Sequence, residues 1–183
     1  MLKKEILFID GYNMIGSWPI LVPLKKQDRM ADARELLLRE VSNFSKYRNI
    51  QSLVIFDAQF VPGMKQSYDY ENVKVVFTKE DETADSYIER KVDNYNSITT
   101  NVTVATSDYA EQRIILNKGA SRKSAPELFR DIQQAKKELR EEVDHHLIFR
   151  PNRRMTSWKD ADLMKLEQYY RDLVQDDKDR DEG

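Results

Sequence analysis

Three aspartates in this chain of 183 residues sit at or just beyond the ends of short apolar runs. Asp10 closes EILFID (5–10), Asp57 closes LVIFD (53–57), and Asp108 lies two residues beyond VTVAT (102–106). A fourth apolar run, VKVVFT (73–78), leads into the acid-rich stretch KEDETAD (79–85). Carboxylates brought to one place repel one another unless a cation neutralises them. The chain has no cysteine and only two histidines, so a thiolate or zinc site is not expected. Hard oxygen donors alone suit Mg²⁺ or Mn²⁺. The chemistry such a group would support is metal-assisted work on a phosphate ester.

Each acid also has a plainer explanation. Asp108 with Glu111 forms a capping-box pattern, and Asp81 or Asp85 would favour a helix dipole. Asp10 and Asp57 escape that explanation more easily, because a bare carboxylate at the end of an apolar strand is costly. Asp81, Asp85 and Glu89 are spaced i, i+4, i+8 and would share a helix face if the helix began early enough. Asp85 falls one residue round from the apolar face of Ala84, Ile88 and Val92, at the border between core and cleft.

The elements that must position these acids follow from hydrophobic spacing. The four apolar runs read as parallel strands buried on both faces. Met30, Ala33, Leu37, Val41 and Phe44 recur at helical spacing, as do Ala84, Ile88, Val92 and Tyr95. Leu128, Ile132, Ala135 and Leu139 mark a longer helix, opened by the capping box Ser124-Ala-Pro-Glu127 with Pro126 in the first turn. Strands alternating with helices indicate a doubly wound α/β sheet, with Gly119–Lys123 as a short fifth strand. Ligands in such sheets bind outside the carboxyl ends of the strands, where the acids are. Residues 58–72 show no helix and are either functional or locally structured in a way the pattern does not reveal. Beyond Pro151, Leu163, Leu166, Tyr170 and Leu173 outline a last amphipathic helix with Ser157 as its cap. The expected organisation is a domain over 1–150, a helical appendage over 151–175 and a disordered acidic tail over 176–183.

Composition narrows the setting. Hydrophobic residues make up 40% of the chain, enough for a core, and no apolar run approaches the roughly 20 residues of a membrane span. Met1-Leu2-Lys3-Lys4 leads straight into the first strand, so no signal peptide and a cytoplasmic location are expected. Net charge is −2, but the last eight residues carry −3, and residues 111–140 hold eight bases against four acids. A local basic surface or a merely solvated helix face fits that distribution.

Taken together, ILFIDGYNMIG (6–16), LVIFDA (53–58), FTKEDETADSYIE (77–89), VATSDYAEQ (104–112) and GASRKSA (119–125) resemble the NYN family of PIN-like nucleases. The likeness is closest to its YacP-like bacterial branch, some of whose members are ribosome-associated endoribonucleases. It implies a three-layer PIN-like fold with a central, mostly parallel sheet and flanking helices. It also implies a metal site of Asp10, Asp85 and Asp108 for Mg²⁺ or Mn²⁺, with Asn13 of DGYN positioning substrate or metal. Asp57, Glu82 and Asp81 would be accessory acids. Hydrolysis of RNA by water would leave a 5′-phosphate and a 3′-hydroxyl. RNA, mRNA in particular, and the ribosome are the implied partners, with no membrane.

For substrate handling, Lys118, Arg122 and Lys123, with Arg113 in the same basic stretch, could meet phosphates. Tyr12 and Trp18, in the loop after Asp10, could stack on unpaired bases, although a large aromatic such as Trp18 is more naturally packed against the sheet. Thr106 and Ser107 read either as ligand-binding hydroxyls or as strand-end and cap residues. His145 and His146 read as surface or tail-packing residues.

Rival chemistries fail on particular residues. A phosphatase of the haloacid dehalogenase kind needs a second Asp two positions after the first, where Tyr12 stands. A receiver-type phosphoacceptor needs a double acid after the first strand, and dinucleotide binding needs G-x-G-x-x-G. The remaining rival is a non-catalytic RNA- or ribosome-binding module whose acids hold a structural cation.

Overall fold

The structure is a computed structural model that describes residues 3–58, 67–79, 81–95, 97 and 99–148. Its elements run β1 (Lys4–Asp10), α1 (Gly11–Ser17), α2 (Val22–Lys26), α3 (Met30–Arg48), β2 (Gln51–Phe56), β3 (Ser67–Tyr70), β4 (Val73–Phe77), α4 (Ala84–Tyr95), β5 (Thr100–Ala105), α5 (Tyr109–Asn117), β6 (Ser121–Lys123) and α6 (Ala125–Ile148). The chain divides into two compact units, Met1–Ala135 and Lys136–Gly183. Of the second unit, the described part is the latter half of α6, where Leu139 and Val143 are buried and Lys137 pairs with Glu141 at 3.8 Å. The appendage and tail expected over 151–183, the side chains of His145 and His146, and that of Glu111 lie outside the described residues.

In the first unit one sheet carries the strands in the order β3-β4-β2-β1-β5-β6. All neighbours are parallel except β3, which runs antiparallel to β4. The fold is thus a mixed α/β one with a six-stranded, mostly parallel sheet flanked by helices. Alternation along β1 splits its side chains between two layers. Leu7 and Ile9 join α1, α3 and the start of α6, whereas Ile6 and Phe8 join α4 and α5. Each fully buried large side chain is worth about 1.5–3 kcal/mol, so both faces of the sheet are firmly covered.

The expected strands and the three long helices are present, and β6 occupies the end of the expected fifth strand. Ser124 and Glu127 exchange the capping-box bonds: the Ser124 N–H donates to Glu127 Oε2 at 2.7 Å, and the Glu127 N–H donates to Ser124 Oγ at 3.4 Å. Three short elements are additional. β3 lies within the stretch read as featureless, because SYDY is a half-exposed edge strand without an apolar run. α1 and α2 replace the expected loop after Asp10; at seven and five residues they are too short to show a helical period. α4 begins at Ala84, so Asp81 stands in a turn ahead of it and does not share its face.

Gly11 starts α1 hard against β2. A Cβ at this position would lie 2.2 Å from the Phe56 ring, and Phe56 is fully buried. That ring is stacked on Phe77 with centroids 5.5 Å apart, so it has little room to yield. Gly11→Ala is expected to cost about 1–3 kcal/mol, seen as a lower urea midpoint at unchanged m-value. A midpoint equal to that of the unsubstituted protein would show that the ring moves aside freely.

Candidate active site

The strand order reverses at β1: its connection leads to β2 on one side, while β5 lies on the other. A crevice opens at the carboxyl ends of two strands whose continuations part in this way. Asp10 ends β1 there and is only 8% exposed. Its Oδ1 accepts the Asn13 N–H at 3.0 Å and so caps α1. The Asn13 side chain crosses the crevice. Its Nδ2 donates to Thr106 Oγ1 at 3.4 Å, and its Oδ1 accepts the Ser107 N–H at 3.2 Å. Thr106, fully buried, also accepts the Asp108 N–H at 3.1 Å, which holds the exposed Asp108 at the same rim. Ser107 Oγ takes the Ala125 N–H at 3.2 Å, so the turn after β5 is tied to the start of α6 as well.

Asp57 serves a helix too. Its Oδ1 accepts the Ala84 N–H at 2.7 Å, at the start of α4. Both acids that seemed least suited to capping therefore cap helices. The cause is spatial: α1 starts on the next residue after Asp10, and α4 starts beside the end of β2 although 27 residues separate Asp57 from Ala84. Asp85, in the first turn of α4, is half-buried. Burial pushes the Asp10 carboxyl up to about 6, partly offset by the Asn13 N–H and reinforced by the negative charges of Asp85 and Asp57. Asp10, Asp57 and Asp85 are thus within electrostatic reach of one another.

The other expected residues are placed less centrally. Glu82 is engaged by Arg90, whose Nη2 lies 2.5 Å from Glu82 Oε1. Asp81 is exposed. Lys118 pairs with Asp93 at 2.5 Å, Arg122 with Glu127 at 3.4 Å, and Lys123 with Asp131. Arg113 is exposed on α5. Trp18 is fully buried, donates from Nε1 to the Ala125 carbonyl at 3.0 Å and packs on Phe129. Tyr12 lies on α1, half-buried against Phe56, and its hydroxyl accepts from Arg34 at 3.4 Å. Arg34 was not singled out by the sequence, where it is one arginine among several on an amphipathic helix.

Among the described residues no three His, Cys, Asp or Glu side chains stand close enough to hold an ion as they are placed. The donor chemistry fits a hard divalent cation all the same. A buried carboxylate whose ionisation is opposed by two neighbouring carboxylates gains from positive charge, and oxygen donors select Mg²⁺-like ions.

A family model, the YacP-like NYN domain, matches residues 7–171. The chain belongs to the YacP-like NYN domain family. The YacP protein of Bacillus subtilis (strain 168) is 40% identical over 162 residues, covering 88% of this chain and 89% of that one. The crystal structure of Rae1 (YacP) from Bacillus subtilis is 35% identical, covers 96% of this chain and 94% of its own, and superposes with a TM-score of 0.70. A mutant of the same protein gives 39% identity, 79% and 85% coverage, and a TM-score of 0.70. NYN domains are nuclease-type domains, so the family gives this chain a nuclease-type, RNA-related function. Among the described residues no helix is long and apolar enough to cross a membrane.

The raised Asp10 pKa has a stability consequence without metal. The folded state binds the Asp10 proton more tightly than the unfolded state, so the contribution of Asp10 to stability is greatest below the ordinary aspartate pKa. It falls as pH rises and levels off above about 6. The difference amounts to about 3 kcal/mol, at roughly 1.4 kcal/mol per pKa unit. Asp10→Asn keeps the oxygen that caps α1 and removes the charge. In chelator, this variant should melt higher than the parent at about pH 7.5, with the gain gone near pH 4. Parallel melting curves for the two proteins across that range would refute the burial argument.

Proposed function

We propose that the protein is a metal-dependent endoribonuclease that hydrolyses single-stranded RNA, with mRNA on the ribosome as its target and the cytoplasm as its location. The observation that carries this reading is the buried Asp10 at the sheet's switch point, within electrostatic reach of Asp85 and Asp57. Asp10, Asp85 and Asp108 would hold Mg²⁺ or Mn²⁺. Bound there, such an ion supplies the charge that lets water lose a proton near neutral pH and that offsets negative charge on the phosphate.

The chain's own residues do the rest. Asp10 keeps one oxygen on the α1 N-terminus, which holds its carboxylate at the end of β1. Asn13 positions the turn that carries Asp108, through Thr106 and Ser107. Asp57 fixes the start of α4, and with it Asp85; Glu82 and Asp81 are accessory acids at the edge of this group. Water as nucleophile gives a 5′-phosphate and a 3′-hydroxyl. This chemistry would belong to residues 1–150, with 151–175 an appendage and 176–183 an acidic tail.

A non-catalytic RNA- or ribosome-binding role for Lys118, Arg122 and Lys123, with Arg113, is the competing assignment. The first three are already paired with acids. Exposed pairs of this kind are worth at most about 1 kcal/mol, so a phosphate could displace them.

The test is cleavage of single-stranded RNA in Mn²⁺ or Mg²⁺, with and without translating ribosomes. Asp10→Asn and Asp85→Asn should each lower the rate by at least roughly a hundredfold, since loss of even an outer-shell partner of a metal ligand costs ten- to a hundredfold. End-labelling should find 5′-phosphates. Absence of cleavage under every condition, with RNA or ribosome binding intact in all three proteins, would leave the binding module as the function.

A further inference from the structure

On the α3 side of the sheet, four aromatic rings run in sequence from α1 across β2 and β4 to β3. Ring centroids are 5.1 Å apart for Tyr12–Phe56, 5.5 Å for Phe56–Phe77 and 6.4 Å for Phe77–Tyr68. The two phenylalanines are buried, whereas the tyrosines at either end are half-buried. Tyr12 is two residues from Asp10 and feels the charge of Asp57, so this end of the row adjoins the acids. Tyr68 is on β3, the edge strand.

Arg34 touches one end of the row: its Nη1 donates to the Tyr12 hydroxyl at 3.4 Å. Its positive charge also reaches the Tyr68 hydroxyl, where it opposes the rise imposed by burial and by Glu35. A guanidinium has five N–H donors, and one long bond to a phenol leaves most of that capacity for other acceptors. Phosphate is the acceptor its planar fork matches best. Unpaired bases in turn stack on tyrosine rings, whatever their sequence. Tyr68 already lies nearly parallel to Phe77, at 23°, and is half-buried; a base stacked on it would continue an existing stack.

We propose that Arg34 and Tyr68 form a binding track for single-stranded RNA beside the carboxylates, Arg34 gripping a backbone phosphate and Tyr68 stacking beneath a base. The track rests on the RNA reading of the site given above. Tyr12 links the two parts by holding Arg34 against the row of rings. The polymer is recognised through backbone charge and base faces, so the track carries no base preference.

The experiment measures anisotropy of a short fluorescein-labelled single-stranded RNA with the full chain carrying Asp10→Asn, in Mg²⁺ over a range of salt. Arg34→Gln on this background should weaken binding about tenfold and reduce the slope of log affinity against log salt by about 0.7, the value for one phosphate contact on a single strand. Arg34→Lys should restore the slope without restoring the full affinity. Tyr68→Leu should weaken binding about tenfold at unchanged slope, as loss of one stacked base does. Thermal melts of each variant show that the fold is kept. Unchanged binding in Arg34→Gln and Tyr68→Leu overturns the track, as does an unchanged salt slope in Arg34→Gln. Cleavage by the unsubstituted protein is scored separately. Weakened binding without any cleavage rejects the nuclease and keeps the track; cleavage with binding indifferent to Arg34 and Tyr68 does the reverse.

Discussion

Asn13 is the residue on which the rest of the crevice depends. Its backbone N–H meets Asp10, and its side chain meets both Thr106 and Ser107. Parallel strands with continuations on opposite faces have no backbone ladder beyond their ends, so something else must close the gap. One amide, with a donor and an acceptor at its tip, suits that task. Through Thr106 the same connection reaches the Asp108 N–H, and through Ser107 it reaches the first residue of α6. Three separate stretches of chain are thereby indexed to the end of β1. Gly11 lets this happen, because only a residue without a side chain allows α1 to start in contact with the Phe56 ring.

The carboxylates that crowd this rim are not left to repel each other unaided. Asp10 and Asp57 each set one oxygen on the N–H groups of a helix start, where the helix dipole is positive. Each bond stabilises a helix terminus and also fixes a carboxylate in place. Capping and chemistry are therefore not rival explanations for these two residues; a cap uses one oxygen and leaves another. The cost of burying Asp10 falls on the fold, and the cores on the two faces of the sheet offset it.

How much of this is legible in the sequence follows from range. Strands β1, β2, β4 and β5 announce themselves through local apolar runs, and α3, α4 and α6 through helical period. The Ser124–Glu127 capping box is likewise visible, since both partners lie within one turn. α1 is hidden because GYNMIGS is a single short segment with two glycines, and β3 because SYDY alternates without strong hydrophobicity. At the site, the rule that ligands meet strand ends puts Asp10, Asp57 and Asp108 on one rim. The bonds from Asn13 to 106–107, and from Ala84 to Asp57, span tens of residues and are written nowhere in local pattern. Arg34 is concealed for the same reason: its significance comes from Tyr12 and Tyr68, which neighbour it only after folding.

The two borders of the sheet have a further consequence. Among the described residues β3 is four residues long and β6 three, and their sequences, SYDY and SRK, place an aspartate on one and two cations on the other. A long flat border would offer unpaired backbone groups to any other chain with β propensity, the first step toward aggregates and fibrils. Between these borders lie four strands apolar enough to be hazardous if left open. Short, charged borders give an incoming strand few bonds and unfavourable neighbours. The sheet can thus be rich in valine and isoleucine at its centre and still remain a poor template for its own copies in a concentrated solution.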